Sequence, residues 1–287
     1  MGPTQPDNTA QQRSQSYKLA AEDVGFLLRD EMRAIRFSLE YAKAELLLSD
    51  WGVRSTIIVF GSARVPSPEQ IAEAEAAARP QDERTAEDRQ ALERLRRQGT
   101  YYDAAREFGR IASLRGGALA PRNRWHDNVV ATGGGGGIME AANRGAHDEG
   151  APSIGFNITL PLEQLPNRYS TPELTFRFHY FAMRKMHLAT RANALVVFPG
   201  GFGTLDELFE MLTLTQTGKA PSVPIVLFGE AYWRRLVNFE ALVDEGMIRR
   251  ADLDLFDFAD SAEEIWACLM RRGLRAHTLP GGYPTGS

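Results

Sequence analysis

Short apolar runs alternate with stretches of helical spacing along most of the chain. Five such runs predict buried strands, at 57–60, 129–130, 154–158, 195–198 and 225–228. Between these runs and after the last of them, the spacing of apolar residues predicts helices at 101–114, 138–147, 205–215 and 232–245. Strands and helices that alternate at this spacing predict an α/β fold, a doubly wound parallel sheet flanked by helices.

The N-terminal part of the chain departs from this rhythm. Residues 1–17 are polar, which predicts a disordered tail, and residues 18–50 predict an extra N-terminal helix. Within that helix six apolar residues recur at spacings of four and three, which places them on one face: Leu28, Met32, Ile35, Leu39, Ala42 and Leu46. Two interpretations stay open, packing of this face on the helix's own domain or assembly with another subunit.

Residues 51–274 are interpreted as one domain. A mixed-charge segment at about 66–100, rich in Ala, Glu and Arg, interrupts it and predicts a solvated helical insertion. From about Arg275 the chain turns rich in Gly and Pro, so residues 275–287 are expected to form a C-terminal tail.

Composition narrows the function classes. With 33 basic and 37 acidic residues the net charge is −4, which disfavours a nucleic-acid binder that uses a large basic surface. The single cysteine, Cys268, excludes an intramolecular disulfide and a cysteine-rich metal site. No signal-peptide core and no run of 18 apolar residues is present, so we expect a cytoplasmic protein without a membrane segment. His179 and His187 lack a third ligand nearby, so no metal site is expected.

Two glycine clusters are the candidate ligand-binding loops. Gly133 to Gly137 are consecutive, and Gly200, Gly201 and Gly203 form a second cluster, each at a predicted strand-to-helix turn. Glycine there lets backbone N–H groups approach an anion, and the helix N-terminus adds partial positive charge. Neither cluster continues as a Walker A loop or as the dinucleotide fingerprint. A mononucleotide or a sugar phosphate is therefore the expected ligand.

Three charged residues near these turns have two interpretations each. Thr204 and Glu207 match a capping box, in which the glutamate only satisfies a backbone N–H, but the same position suits a catalytic carboxylate. Glu140 is either a second active-site carboxylate or an acid that stabilises the first turn of its helix. For Lys185 a phosphate-binding or structural role is favoured over a Schiff base.

Several sequence blocks then resemble one family. PGGFGTLDE at 199–207 is similar to the PGGxGTxxE signature of the Lonely Guy (LOG) family, cytokinin-activating nucleoside 5′-monophosphate phosphoribohydrolases. FGSAR at 60–64, GGGGGIMEAANRGA at 133–146 and GFNITLPLEQLPN at 155–167 resemble blocks of its longer bacterial members. Met183, Arg184 and Lys185 resemble the family's arginine–lysine element.

The resemblance implies a Rossmann-like fold and hydrolysis of the N-glycosidic bond of a purine nucleoside 5′-monophosphate, AMP or an N6-substituted AMP. It assigns catalysis to Arg184 and Glu207 and implies no cofactor. The substrate-binding candidates are Ser62, Gly134, Gly135, Gly136, Glu140, Met183, Lys185, Gly200, Gly201, Gly203 and Thr204. A homodimer or higher homo-oligomer is implied. The alternative is a non-catalytic nucleotide or molybdenum-cofactor carrier of the same fold; Arg184 together with Glu207 favours the enzyme.

Overall fold

A computed structural model describes residues 7–160 and 165–275. Within these residues seven strands form one sheet in the order β4-β3-β2-β1-β5-β6-β7, and every neighbouring pair is parallel. The strands are β1 Thr56–Phe60, β2 Val129–Thr132, β3 Ser153–Ile158, β4 Thr175–Phe178, β5 Ala192–Val197, β6 Ile225–Phe228 and β7 Asp257–Ala259. The predicted parallel α/β sheet is confirmed; β4 and β7 were not predicted.

Helices cover both faces of the sheet. The α-helices of the described residues are α1 Thr9–Gln12, α2 Val24–Leu27, α3 Arg33–Trp51, α4 Pro68–Ala77, α5 Ala86–Gly116, α6 Ile138–Asp148, α7 Phe181–Thr190, α8 Phe202–Gln216, α9 Glu230–Leu236, α10 Phe239–Asp244 and α11 Ala262–Arg271; those that cover the sheet belong to the part of the chain after Lys43. Short 3₁₀ helices occur at Gln15–Tyr17, Asp30–Met32, Gln81–Glu83, Pro172–Leu174 and Arg250–Leu255. None of the helices in the described ranges is long and apolar enough to cross a membrane.

The alternation of side chains along each strand divides the core in two. Ile57 and Val59 of β1 belong to a cluster with α5, α6 and α11, whereas Ile58 and Phe60 belong to a cluster with α7, α8 and α9. All five residues of β1 are buried. Burial on both faces explains why β1 is a continuous apolar run without polar alternation.

The described residues form two separate compact units, which divide between Lys43 and Ala44. In the first unit the predicted N-terminal helix is interrupted, since α2 and α3 are separated by the 3₁₀ turn Asp30–Met32. The guanidinium of Arg36 donates to the carbonyl oxygens of Leu27 and Arg29 at 2.7 and 2.6 Å, which fixes this turn.

In the second unit, the end of α3 packs through a different face from the predicted one. Ala44 and Leu48 are buried, whereas Leu46 of the predicted apolar face is 61% exposed. Two residues correspond to about 200° of helix rotation, so the buried and the predicted faces are nearly opposite. The end of α3 therefore packs on its own domain through Ala44 and Leu48. The interpretation that the predicted apolar face makes this packing contact is wrong at Leu46.

The segment at 66–100 is helical, but it does not end where the sequence suggested. Helix α5 continues without a break from Ala86 to Gly116. Gly99 lies where α4 approaches α5, since a Cβ there would lie 2.4 Å from Ile71 Cδ1. The predicted helix at 232–245 is interrupted instead, at 237–238, where the Asn238 side chain caps α10 by accepting from the Ala241 N–H. Of the predicted C-terminal tail, residues 276–287 lie outside the described residues.

Candidate functional site

The site forms where the chain order of the sheet reverses. From β1 the chain moves outward through β2, β3 and β4, then returns to β5 on the other side of β1. The loops after β1, β2 and β5 therefore meet at one edge, at the topological switch point where open α/β sheets bind ligands. Both glycine clusters lie at this edge.

Backbone hydrogen bonds join the three loops. The Ser62 N–H donates to the Pro199 carbonyl oxygen at 3.0 Å, and the Ser62 carbonyl oxygen accepts from the Ile138 N–H at 3.1 Å. Gly137 has φ +63°, and a Cβ there would lie 2.3 Å from the Ser62 oxygen. The loop after β1 thus fixes the distance between the two glycine clusters, and it tolerates only glycine at Gly137.

A cavity of about 690 Å³ opens between these loops. Its lining comes from the end of β1, from the loops after β1 and β5, and from α6, α7, α8 and α9: Phe60, Gly61, Ser62, Ala63, Arg64, Met139, Phe181, Arg184, Gly200, Gly201, Phe202, Gly203, Thr204, Leu205, Asp206, Glu207, Tyr232 and Leu236. The predicted site residues among them are Ser62, Arg184, Gly200, Gly201, Gly203, Thr204 and Glu207.

Glu207 is a buried carboxylate in this cavity and does not cap its helix. Helix α8 begins at Phe202 with Gly201 as its N-cap, so Thr204 and Glu207 both lie inside the helix and the capping-box interpretation is wrong. Its side chain is 8% exposed, and its oxygens lie 3.9 Å from both Arg184 Nη2 and Lys185 Nζ. Burial raises the pKa of Glu207 to about 7, and the two cations only partly oppose this.

Arg184 faces Glu207 from α7. Its side chain is 13% exposed, and burial lowers the pKa of its guanidinium. Among the described residues its Nε has no hydrogen-bond partner. Its Nη2 lies 3.1 Å from the point where a Cβ on Gly133 would stand, so the guanidinium lies against the first glycine cluster. A buried guanidinium with free donors is suited to bind a polar ligand.

Lys185, the next residue on α7, points elsewhere. Its ammonium donates to Asp206 Oδ2 and Glu210 Oε2, both at 2.8 Å, on the outer side of α8. Burial opposes the charged form, but these hydrogen bonds outweigh it and raise the pKa of Lys185. An ammonium held by two carboxylates is a poor nucleophile, which disfavours Schiff-base chemistry.

The remaining predicted residues surround the cavity without lining it. Glu140 accepts a hydrogen bond from the Tyr102 hydroxyl at 3.0 Å and so faces α5. Met183 packs against the apolar core on the α8 side of the sheet. Gly134, Gly135 and Gly136 lie in the first cluster, next to Arg184 through Gly133. Across residues 7–160 and 165–275, no group of three or more His, Cys, Asp or Glu is placed to hold a metal.

Four of the lining residues outside the sequence prediction add a distinct property to the cavity. Met139, Phe181 and Leu236 supply apolar surface, and the Tyr232 hydroxyl donates to the Gly200 carbonyl oxygen at 2.6 Å. Tyr232 follows Gly229 at the carboxyl end of β6, the same edge as the glycine clusters. That position was the available signal, because loops at the carboxyl ends of parallel strands share one edge.

Comparisons with known proteins agree on one family. A family model described as "Possible lysine decarboxylase" matches residues 139–269. The "Probable cytokinin riboside 5'-monophosphate phosphoribohydrolase LOG4" of Oryza sativa subsp. japonica is 32% identical over 141 residues, 48% of this chain and 60% of the rice protein. This chain therefore spans less than two thirds of that relative.

A second relative is covered more fully. The "Cytokinin riboside 5'-monophosphate phosphoribohydrolase LOG3" of Arabidopsis thaliana is 30% identical over 173 residues, 59% of this chain and 74% of the plant protein. Among solved structures, the molybdenum cofactor binding protein of Rippkaea orientalis is 17% identical with a TM-score of 0.42, over 77% of this chain and 96% of that one.

Burial of Glu207 has a consequence for stability. The pKa is about 7 in the folded protein and about 4.5 in the unfolded chain, so ionisation opposes folding, increasingly between these pH values and fully above pH 7. Replacing Glu207→Gln removes this penalty. At pH 8 we expect the variant's free energy of unfolding to exceed that of the wild type by about 3 kcal/mol, and the difference to vanish near pH 4.5.

Chemical denaturation at several pH values measures this difference. Glu210→Gln is the control, since it removes a more exposed carboxylate one turn along the same helix. A Glu207→Gln protein that is less stable than the wild type at pH 8 would contradict the burial argument.

Proposed function

Because the chain belongs to the LOG family, we propose that it hydrolyses the N-glycosidic bond of a purine nucleoside 5′-monophosphate, AMP or an N6-substituted AMP. The products are the free base and ribose 5-phosphate. The observation that carries the proposal is the pairing of Glu207 with Arg184 in the cavity between two glycine loops.

The second glycine cluster is suited to hold the phosphate. It leads directly into α8, a helix of 15 residues, whose first N–H groups have no acceptor in the helix itself. The helix N-terminus favours an anion there. At Gly200 a Cβ would lie 2.1 Å from Thr204 Oγ1, so glycine is required, whereas nothing lies within 4 Å at Gly201 or Gly203. The open backbone leaves space for phosphate oxygens.

The reaction requires stabilisation of positive charge on the ribose. As the bond from C1′ to the base nitrogen breaks, its electron pair leaves with the base and the sugar gains oxocarbenium character. A water oxygen then bonds to C1′. In its ionised form Glu207 stabilises that cation and accepts the proton that the water loses.

Arg184 acts on the other side of the broken bond. Its free guanidinium donors can bind the base nitrogen that receives the electron pair, which stabilises the leaving group until it is protonated. Met139, Phe181 and Leu236 provide the apolar walls against which a purine ring packs.

The activity is tested by incubating the purified protein with AMP and with isopentenyl-AMP, followed by chromatography for free base and ribose 5-phosphate. We expect base release from at least one substrate. Glu207→Gln and Arg184→Ala should each lower kcat/KM by about 10²-fold or more, since each removes charge stabilisation from the transition state.

Glu210→Gln is the matched control, because Glu210 lies one helical turn from Glu207 and does not line the cavity. It should keep kcat/KM within about threefold. Absence of base release from every common nucleoside monophosphate would overturn the hydrolase proposal and leave a carrier role. Full activity of Glu207→Gln would overturn the assignment of Glu207.

We further propose that a second copy of the chain covers the outer face of α8. Phe202 is 92% exposed and Phe181 is 53% exposed at the mouth of the cavity. A neighbouring groove of about 600 Å³ shares Phe202, Leu205 and Asp206 with the cavity and extends to Phe209. Clustered exposed aromatic side chains are typical of subunit interfaces.

Light scattering coupled to size-exclusion chromatography tests this assembly. The wild type should elute with the mass of a dimer or larger, and Phe209→Glu should shift it towards the monomer because it places a charge in the apolar contact. Met247→Glu is the control, since Met247 is 70% exposed and lies outside the groove. A monomeric wild type at tens of micromolar would contradict the proposal.

A further inference from the structure

The first glycine cluster is held by a polar network that lies outside the cavity. Asn167, which is 8% exposed, reaches it from the segment between β3 and β4. Its backbone N–H donates to the Gly134 carbonyl oxygen at 2.9 Å, and its Nδ2 donates to the Gly135 carbonyl oxygen at 3.1 Å. One residue therefore binds two successive carbonyl groups of the cluster.

A second chain of hydrogen bonds fixes the same residues from the sheet. The Gly134 N–H donates to Thr132 Oγ1 at 3.0 Å, and that hydroxyl donates to Asn143 Oδ1 at 2.7 Å. Asn143 Oδ1 also accepts from Asn167 Nδ2 at 3.0 Å, which closes the network. Asn143 and Thr132 are fully buried, so solvent does not compete for these bonds.

Asn167 is itself oriented by its own segment. Its Oδ1 accepts from the backbone N–H groups of Tyr169 and Ser170 at 3.1 and 3.2 Å. Both polar ends of the amide are occupied, so only one side-chain orientation satisfies all four side-chain contacts. The amide is a rigid support for the glycine cluster rather than a group free to bind ligand.

The network leaves a defined set of backbone groups unused. Within the described part of the chain, no acceptor binds the N–H groups of Gly135, Gly136 or Gly137, which lead into the first turn of α6. Gly134 has φ +73°. Because glycine can adopt this backbone conformation and many others, the segment would sample several conformations if its carbonyl groups were not held. Tying its carbonyl groups to Asn167 selects the conformation with free N–H donors.

We propose that Asn167 is a positioning residue for substrate binding: by holding the Gly134 and Gly135 carbonyl groups, it orients the N–H groups of residues 135–137 towards the nucleotide. This inference rests on the proposed function, because the ligand is taken to be the nucleoside monophosphate whose phosphate lies at the second glycine cluster. Asn167 contacts the loop and not the substrate. Asn167 is the last residue of the GFNITLPLEQLPN block, and we assign its presence there to this contact with the loop. Residues 161–164 of the block lie outside the described residues.

The experiment compares KM and kcat for AMP in three variants. Asn167→Ala removes the side-chain bond to Gly135, and Thr132→Val removes the bond to the Gly134 N–H from the other side with little change of volume. Ser170→Ala is the control: its hydroxyl binds the Asn167 carbonyl and Thr175 in the same turn but contacts no residue of the cluster.

We expect KM to rise about tenfold in Asn167→Ala and about threefold in Thr132→Val, with kcat within about threefold, because ground-state and transition-state binding weaken together. Ser170→Ala should leave KM unchanged. Hydrogen exchange of residues 133–137 in the free protein should accelerate in the first two variants and not in the third. Thr132→Val keeps the test decisive if Asn167→Ala fails to fold.

An unchanged KM in both loop variants would overturn the inference, as would an equal rise in Ser170→Ala or a fall confined to kcat. These outcomes differ from a failure of the proposed function, which the wild type alone reveals by releasing no base from AMP, from isopentenyl-AMP or from any other common nucleoside monophosphate; if only isopentenyl-AMP is cleaved, the same comparison of variants is made with that substrate.

Discussion

The site depends on a carboxylate that is held out of water. Glu207 lies on the buried side of α8, and its two cationic neighbours stop 3.9 Å away, beyond hydrogen-bond distance. Had either cation formed a close pair, the carboxylate would have a low pKa and little basicity. With burial dominant, its pKa is about 7, so at neutral pH it is ionised in part and still able to accept a proton.

Sheet topology explains why this carboxylate lies next to the glycine loops. Because the chain returns to β5 beside β1, the loops after β1, β2 and β5 share one edge, and Ser62 links them through backbone bonds. In the proposed function the phosphate is bound by backbone amides at a helix N-terminus. Such binding would require no basic surface, which is consistent with a net charge of −4.

Local sequence patterns predicted those strands and turns whose formation depends on residues close together in the chain. The five predicted strands are all present and are mostly apolar, and both glycine clusters lie at strand-to-helix turns. Strand β4 was missed because it lies at the edge of the sheet and its sequence TFRF exposes Arg177, and β7 because it has only three residues. The capping box failed because Gly201 is the N-cap of α8, three residues earlier than the Thr204 pattern indicates.

Contacts between distant segments were not predictable in the same way. Asn167 is 32 residues from Gly135 and Tyr232 is 32 from Gly200, and neither spacing carries a signal along the chain. Lys185 and Arg184 are adjacent in sequence, yet one helix step of about 100° sends one to the surface of α8 and the other into the cavity. The direction in which a helical side chain points is known only once the packing of the helix is known, and the sequence pattern does not specify that packing.

We propose that Glu207 works in the reaction as a buried carboxylate with a pKa near neutrality. The most direct measurement is kcat/KM for AMP across about pH 5 to 9 in the wild type. We predict a value that rises about tenfold per pH unit on the acid side and levels off above a pKa of about 7. A kcat/KM that is constant across this range, or that falls as pH rises through 7, would contradict the account.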